Sequence, residues 1–156
     1  MAESCSPTDA GPIYYWLGIH SEYLRDWKQA AVWYEQAINA FGQLGYPKRE
    51  SRAHCNLGNV KMQSGDPTGI EEFEKAIALN PKNGTAHMNI GFTYYMISEP
   101  GDERYEMALD ALAHAILADP EIYGPMVQAR LRSVGYTWKE DIQRIAERMA
   151  KMQGIG

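Results

Sequence analysis

The side chains in this chain of 156 residues that could do chemistry are four histidines, two cysteines and a scattered set of carboxylates. His54 and His87 stand at equivalent places in two similar phrases, His54-Cys55-Asn56-Leu57-Gly58 and His87-Met88-Asn89-Ile90-Gly91. A shared zinc site would need their ring nitrogens about 2 Å from one point. Packed helices lie about 8–10 Å apart, and equivalent side chains on successive hairpins lie further apart still. Equivalence therefore argues against a joint metal site. His54 and Cys55 are neighbours that would point about 100° apart on a helix, and His20 and His114 are isolated in the sequence. Neither phosphate-binding glycine pattern is present, and there is no Gly-x-Ser-x-Gly nucleophile elbow. No spacing of Ser, His and Asp suggests a triad, and the pair Glu71-Glu72 falls on the expected solvated side of a helix. The residues point to no catalytic group, no metal and no cofactor. They point to a non-enzymatic protein.

What positions these residues is a repeat. The histidine phrases have a third copy, Tyr14-Tyr15-Trp16-Leu17-Gly18, and the closing glycines lie 40 residues apart (Gly18 to Gly58) and then 33 apart (Gly58 to Gly91). After each phrase comes a second apolar-periodic segment: Ala30, Tyr34 and Ala37; Phe73, Ala76 and Pro81; Ala108, Leu112, Ala115 and Pro120. A unit of this size is a helical hairpin, which cannot bury its apolar faces alone and so must stack. Glycine inside a helix costs roughly 1 kcal/mol relative to alanine, so three such glycines need a packing reason. Close approach of the neighbouring helix supplies it, with Tyr34, Phe73 and Leu112 as the bulk in the seam.

The coarse reading is helix throughout. Pro12 opens a first helix running to about Leu24. Asp26 caps a second that stops near Gly42 to Gly45. A third runs from about Lys48 to Ser64. Asp66-Pro67 starts a fourth with a cap and a first-turn proline, ending at Asn80-Pro81. A fifth runs from about Gly84 to Ile97, and Asp102 caps a sixth that ends at Asp119-Pro120. In the tail, Glu121 to Val134 makes a helix without the Leu-Gly phrase. Thr137-Trp138-Lys139-Glu140 is a capping box opening a last helix with a stripe of Ile142, Ile145, Ala146, Met149 and Met152. Its other face carries Lys139, Glu140, Gln143, Arg144, Glu147, Arg148 and Lys151. The stripe is expected to pack on the helix that begins near Glu121 and to seal the last repeat.

The three phrases with their second segments resemble the tetratricopeptide repeat (TPR), most closely at Gly65-Asp66 followed by Glu72-Phe73-Glu74-Lys75-Ala76-Ile77-Ala78-Leu79-Asn80-Pro81. The resemblance implies an all-α fold: a right-handed superhelical array of antiparallel helix hairpins, a TPR-like α-solenoid, with a C-terminal capping helix pair. It divides the chain into a flexible lead (1–10), three repeats (11–120, about 11–44, 51–83 and 84–120) and a degenerate fourth repeat or capping helices (121–156). The repeats depart from the pattern at Gly45-Tyr46-Pro47-Lys48, near Pro67-Thr68-Gly69 and at Ser98-Glu99-Pro100-Gly101-Asp102, all turns where length change costs little. In this family His54 and His87 would replace the usual aromatic residue.

The resemblance also implies a concave groove lined by the first helices of the hairpins. Its lining would be Tyr15, Ile19 and Tyr23 in the first repeat, Arg52, Asn56, Asn59, Met62 and Gln63 in the second, and Met88, Asn89, Phe92, Tyr95 and Met96 in the third. Cys55 and Glu22 belong to the same stripe. Asn56 and Asn89 would hydrogen-bond a bound backbone, because an amide offers both donor and acceptor, and methionine and aromatic residues would give adaptable apolar contact. The carboxylate clamp known in the family is not matched: Tyr15, Ile19, Thr85 and Asn89 stand where basic or paired polar groups would be needed, and only Asn56 fits. The implied function is a protein–protein interaction adaptor holding a partner peptide or helix. A small chaperone for secretion or complex assembly and a self-associating scaffold are the alternatives.

Composition agrees with these expectations. With 45% hydrophobic and 22% charged residues, a net charge of −5 and a pI near 5.4, the chain lacks the concentrated basic surface that nucleic acid requires. No run approaches the length of a membrane-spanning helix, and the start, Met1 to Pro7, has no signal-peptide regions. Cys5 and Cys55 are read as reduced thiols, which fits a cytoplasmic protein with another protein as partner, no membrane and a possible homo-oligomeric state.

Overall fold

Helix starts and stops follow local chemistry. The computed structural model describes residues 10–134 and 138–155. The expected flexible lead, Cys5 and the Thr137 cap lie outside the described residues. The helices fall into two compact units, Met1–Pro81 and Lys82–Gly156. The first holds α1 (Gly11–Tyr23), α2 (Trp27–Gln43), α3 (Pro47–Gln63) and α4 (Gly69–Leu79). The second holds α5 (Gly84–Ile97), α6 (Glu103–Ala118), α7 (Pro120–Val134) and α8 (Trp138–Met152). There is no strand among the described residues.

In the first unit each helix packs on the next. Proline sits in the first turn of α1 and of α3, where its missing N–H is not needed. The carboxylate of Asp26 accepts from the Gln29 N–H at 3.1 Å and caps α2. Three successive helix ends share one form. The amides of Asp26, Tyr46 and Asp66 donate back to Ser21, Phe41 and Lys61, the six-to-one bond of a Schellman end. The residue before each has a left-handed backbone, Gly45 at φ +67°, Gly65 at φ +82° and Arg25 at φ +58°. The start of α4 differs from expectation. Asp66 accepts from the Thr68 N–H at 2.9 Å and forms a turn, so the helix opens at Gly69.

The seams are built as the repeat implies. Tyr34, Ala30, Leu57 and Val60 form one buried cluster, and Ala37, Phe41 and Ala53 another. A Cβ at Gly18 would lie 2.6 Å from the Tyr34 ring, so a side chain there would push α1 off α2.

In the second unit α5 and α6 form a hairpin. Asn83 caps α5 by accepting from the Ala86 N–H, and Asp119 caps α7 by accepting from the Ile122 N–H. Asp102 does not cap α6. Its carboxylate accepts from the Glu99 N–H and closes the preceding turn. Several features of α8 correct the sequence reading. It packs chiefly on α6, with only a smaller contact on α7. Its buried side includes Asp141, 1% exposed, beside Ile145. Asp141 accepts from the Tyr95 hydroxyl at 2.8 Å and from the Tyr105 hydroxyl at 2.5 Å. Arg144 and Arg148, expected in solvent, reach back to Glu106 of α6, and Arg148 also pairs with Asp110. Ile142 and Met149 pack against the core, whereas Ala146 and Met152 stay exposed.

Candidate functional site

The first unit gathers several of the expected groove residues on α1 and α3. The amide nitrogen of Asn56 donates to the hydroxyls of Tyr15 at 3.0 Å and Tyr34 at 3.3 Å. Tyr34 in turn donates to Glu22 at 2.8 Å. Burial, and then the Glu22 carboxylate, hold the Tyr34 phenol protonated well above its ordinary range. The donor side of Asn56 is therefore engaged within the fold, which corrects the expectation that it would be offered to a partner backbone. Ile19 packs on the Tyr34 cluster. Met62 turns toward α4, where a Cβ at Gly69 would lie 2.7 Å from its Cγ. Asn59 is half-buried, and Tyr23 and Gln63 are exposed.

Around Tyr15 the chain forms a pocket of about 210 Å³ lined by Pro12, Tyr15, Trp16, Phe41, Arg49 and Arg52. Trp16 is 67% exposed at its mouth. The Arg52 guanidinium lies 5.5 Å from the centre of the Tyr15 ring, and that of Arg49 lies 5.1 Å from the centre of the Tyr46 ring, both within cation–π range. Of these residues only Tyr15 and Arg52 were expected at the site. Trp16 was not expected there, although it holds the place in its phrase that Asn56 and Asn89 hold in theirs, and Arg49 lies before its phrase. The signal was the insertion Gly45-Tyr46-Pro47-Lys48: α3 begins early at Pro47, and the added turn carries Arg49 three residues before Arg52.

The second unit treats its share differently. Met88, Phe92 and Tyr95 are buried in one core with Leu109, Val127, Leu131 and Ile145, and Arg130 lies over the Phe92 ring at 4.4 Å. These three residues were expected to face a partner. Helices α6, α7 and α8 supply the other side chains of the cluster that buries them. Asn89 is half-buried and Met96 exposed.

Several of the chemistry-bearing residues have structural partners. His54 Nδ1 lies 2.7 Å from Glu72, and Lys61 and Lys75 pair with the same carboxylate at 2.9 and 3.0 Å. Glu72 is buried, not solvated. Burial alone would raise its pKa, but the bonds from Lys61, His54 and Lys75 outweigh that and draw it down to about 2. His114 is not isolated: its ring stacks on His87 at 5.1 Å. No group of three or more potential metal-ligating side chains occurs among the described residues. No described helix is long and apolar enough to cross a membrane.

Fold and seams together define an all-α protein built from helix hairpins. No family model matches the chain. The chain is similar to the TPR repeat-containing protein MJ1428 of Methanocaldococcus jannaschii, with 28% identity over 87 residues, 55% of this chain and 14% of that protein. The chain thus spans a small part of the length of the curated relative it matches.

Proposed function

We propose that this protein is a non-enzymatic cytoplasmic adaptor that holds a segment of another protein against α1 and α3 of its first unit. The observation that carries the reading is the pocket beside Trp16. A large aromatic side chain stands two-thirds exposed next to a cavity with apolar walls, whereas large apolar surface in a soluble fold is usually covered unless it binds something. The bonds linking Asn56, Tyr34 and Glu22 to one another and to Tyr15 hold Tyr15, one wall of this site, in place before binding. Similarity to a TPR repeat-containing protein supports the same class of function.

The test is affinity capture with the full chain, identification of the bound protein, and titration of that purified partner against wild type and Trp16→Ala. The variant is expected to keep the wild-type helicity and bind at least about tenfold more weakly, as for an interfacial hot spot. Unchanged affinity overturns the assignment of the site. A stable one-to-one complex with a client that is insoluble alone would make the protein a chaperone instead of an adaptor.

A further inference from the structure

We propose that the outer face of α1 pairs with α1 of a second copy of this chain, antiparallel and about a twofold axis. The inference does not depend on the adaptor reading. Ile13, Trp16, His20 and Tyr23 all stand in solvent on α1, at intervals of three, four and three residues. That spacing places them on one stripe of a helix. The stripe lies opposite Gly11 and Gly18, which pack on α2. Exposure is 55% at Ile13, 67% at Trp16 and 85% at Tyr23, and Leu24, just past the helix, is 62% exposed. Apolar residues scattered singly over a surface need no explanation, but a contiguous row does. The described helices leave this row uncovered, and of the nine residues before Ala10 only Met1 is a large apolar one.

Charge and spacing select a second copy as the occupant. The stripe carries no carboxylate, lysine or arginine. Glu22, the only carboxylate of α1, accepts from the Tyr34 hydroxyl of α2. The exposed side of α8, by contrast, carries Lys139, Glu140, Gln143, Glu147 and Lys151. A chain of net charge −5 thus offers a copy of itself a face on which like charges do not meet. The spacing also reads the same in both directions about Gly18. Two such helices laid antiparallel, with the axis at Gly18, set Ile13 against Tyr23 of the second copy and Trp16 against its His20. Each contact then joins a larger ring to a smaller side chain, the alternation by which facing helices interdigitate. The same patch is used on both copies, as a twofold interface requires. The exposed parts of the row amount to roughly 500 Å² on each copy, below the about 800 Å² of a standard interface. Pairing is therefore reversible and depends on concentration. Trp16 also stands at the mouth of the pocket, so a paired copy competes there with any captured segment.

The test is sedimentation equilibrium of the full chain between about 1 and 300 µM, the range of a small interface. The mass should rise from 17.6 kDa toward twice that value and stop there. Ile13→Glu and Tyr23→Lys should each keep the wild-type helicity, because both residues are exposed, and weaken pairing at least about tenfold. Mixing the two variants should restore pairing beyond that of either alone. The mixed dimer opposes the two introduced charges at one contact and keeps the native contact at the other. A mass of 17.6 kDa throughout, growth beyond two copies, or pairing unchanged in both variants overturns the proposal. So does a mixture that pairs no better than its components. A captured partner lost on Tyr23→Lys would assign the stripe to that partner, overturning the proposal and leaving the adaptor reading standing. The adaptor reading is judged separately, by capture on Trp16→Ala, since neither Ile13 nor Tyr23 lines the pocket.

Discussion

A methyl group at Gly58 would sit 2.6 Å from Cε1 of Phe73 and 2.8 Å from the carbonyl oxygen of Gly69. The same relation recurs between Gly18 and Tyr34 at 2.6 Å, and between Gly91 and Leu112 at 2.9 Å. Each hairpin thus crosses where a glycine of its first helix receives a bulky side chain of its second. Gly58→Ala should destabilise the protein by about 1–3 kcal/mol through overpacking, despite the roughly 1 kcal/mol that alanine contributes as a better helix former. Gly91→Ala should cost less, because the backbone oxygen it meets, that of Ala108, lies 3.2 Å away against 2.8 Å for that of Gly69 at Gly58. Denaturant titration of both variants checks the order, and a Gly58→Ala protein as stable as wild type would refute the close-approach argument.

The glycine seams were legible in the sequence because repetition exposes them: a costly residue that returns three times beside a bulky partner states its own reason. The bounds of α5 were legible for the same kind of reason, with Asn83 before it and Ser98-Glu99-Pro100 after it. The second face of the first helices was not. Met88, Phe92 and Tyr95 look like the groove side of a hairpin, and whether such a face meets solvent or other helices depends on tertiary packing that periodicity does not encode. Charge misled in the same way. Glu72 beside Glu71 reads as a solvated pair, and the sequence reading assigns Asp141 to neither face of the last helix. Yet Glu72 collects His54, Lys61 and Lys75, and Asp141 collects two tyrosine hydroxyls. Lys75 is only one turn from Glu72, but His54 lies 18 residues from it and the tyrosines lie 36 or more from Asp141, beyond the reach of any local pattern.

Glu72 makes stability depend on acid. Its folded pKa of about 2 lies below the ordinary value of 4.5, so its contribution is full above pH 4.5 and is lost as pH falls through that value toward 2. A shift of this size corresponds to roughly 3 kcal/mol at neutral pH. Glu72→Gln should therefore be clearly less stable than wild type at pH 6, with the gap narrowing steadily below pH 4.5. Melting curves across that range test it, and a gap independent of pH would show that the ion cluster adds nothing through its charge.

Arg25 holds a left-handed backbone at φ +58° in the turn before α2, where Gly45 and Gly65 occupy the matching places before the next two helices. A side chain in that conformation costs about 1 kcal/mol. Arg25→Gly should stabilise the protein by a few tenths to about 1 kcal/mol, reduced by the greater freedom of glycine in the unfolded chain. The measure is the denaturation midpoint. A loss of stability would mean that Arg25 makes a contact worth more than the strain.

Asp141 should determine whether α8 stays seated. Its carboxylate is 1% exposed and takes hydroxyl bonds from Tyr95 of α5 and Tyr105 of α6, while Arg144 and Arg148 close on Glu106 and Asp110 at the edge. Bonds to a charged acceptor are worth about 1.5–3 kcal/mol each, and removing the acceptor leaves two buried hydroxyls without it. Asp141→Ala should therefore cost more than either Tyr95→Phe or Tyr105→Phe, and adding a tyrosine change to Asp141→Ala should cost little further, as expected for residues in one network. The exposed pairs at the edge should matter less, so Arg148→Ala is expected to cost under about 1 kcal/mol. Ending the chain before Trp138 should have the largest effect, because it uncovers Leu131, Val127 and Leu109, which share a core with Ile145. A large fall in melting temperature or aggregation is the expected result. A shortened chain that stays soluble and as stable as the full one, yet no longer captures a partner, would reverse the reading. α8 would then be a docking helix, and the search for function would move there from the pocket beside Trp16.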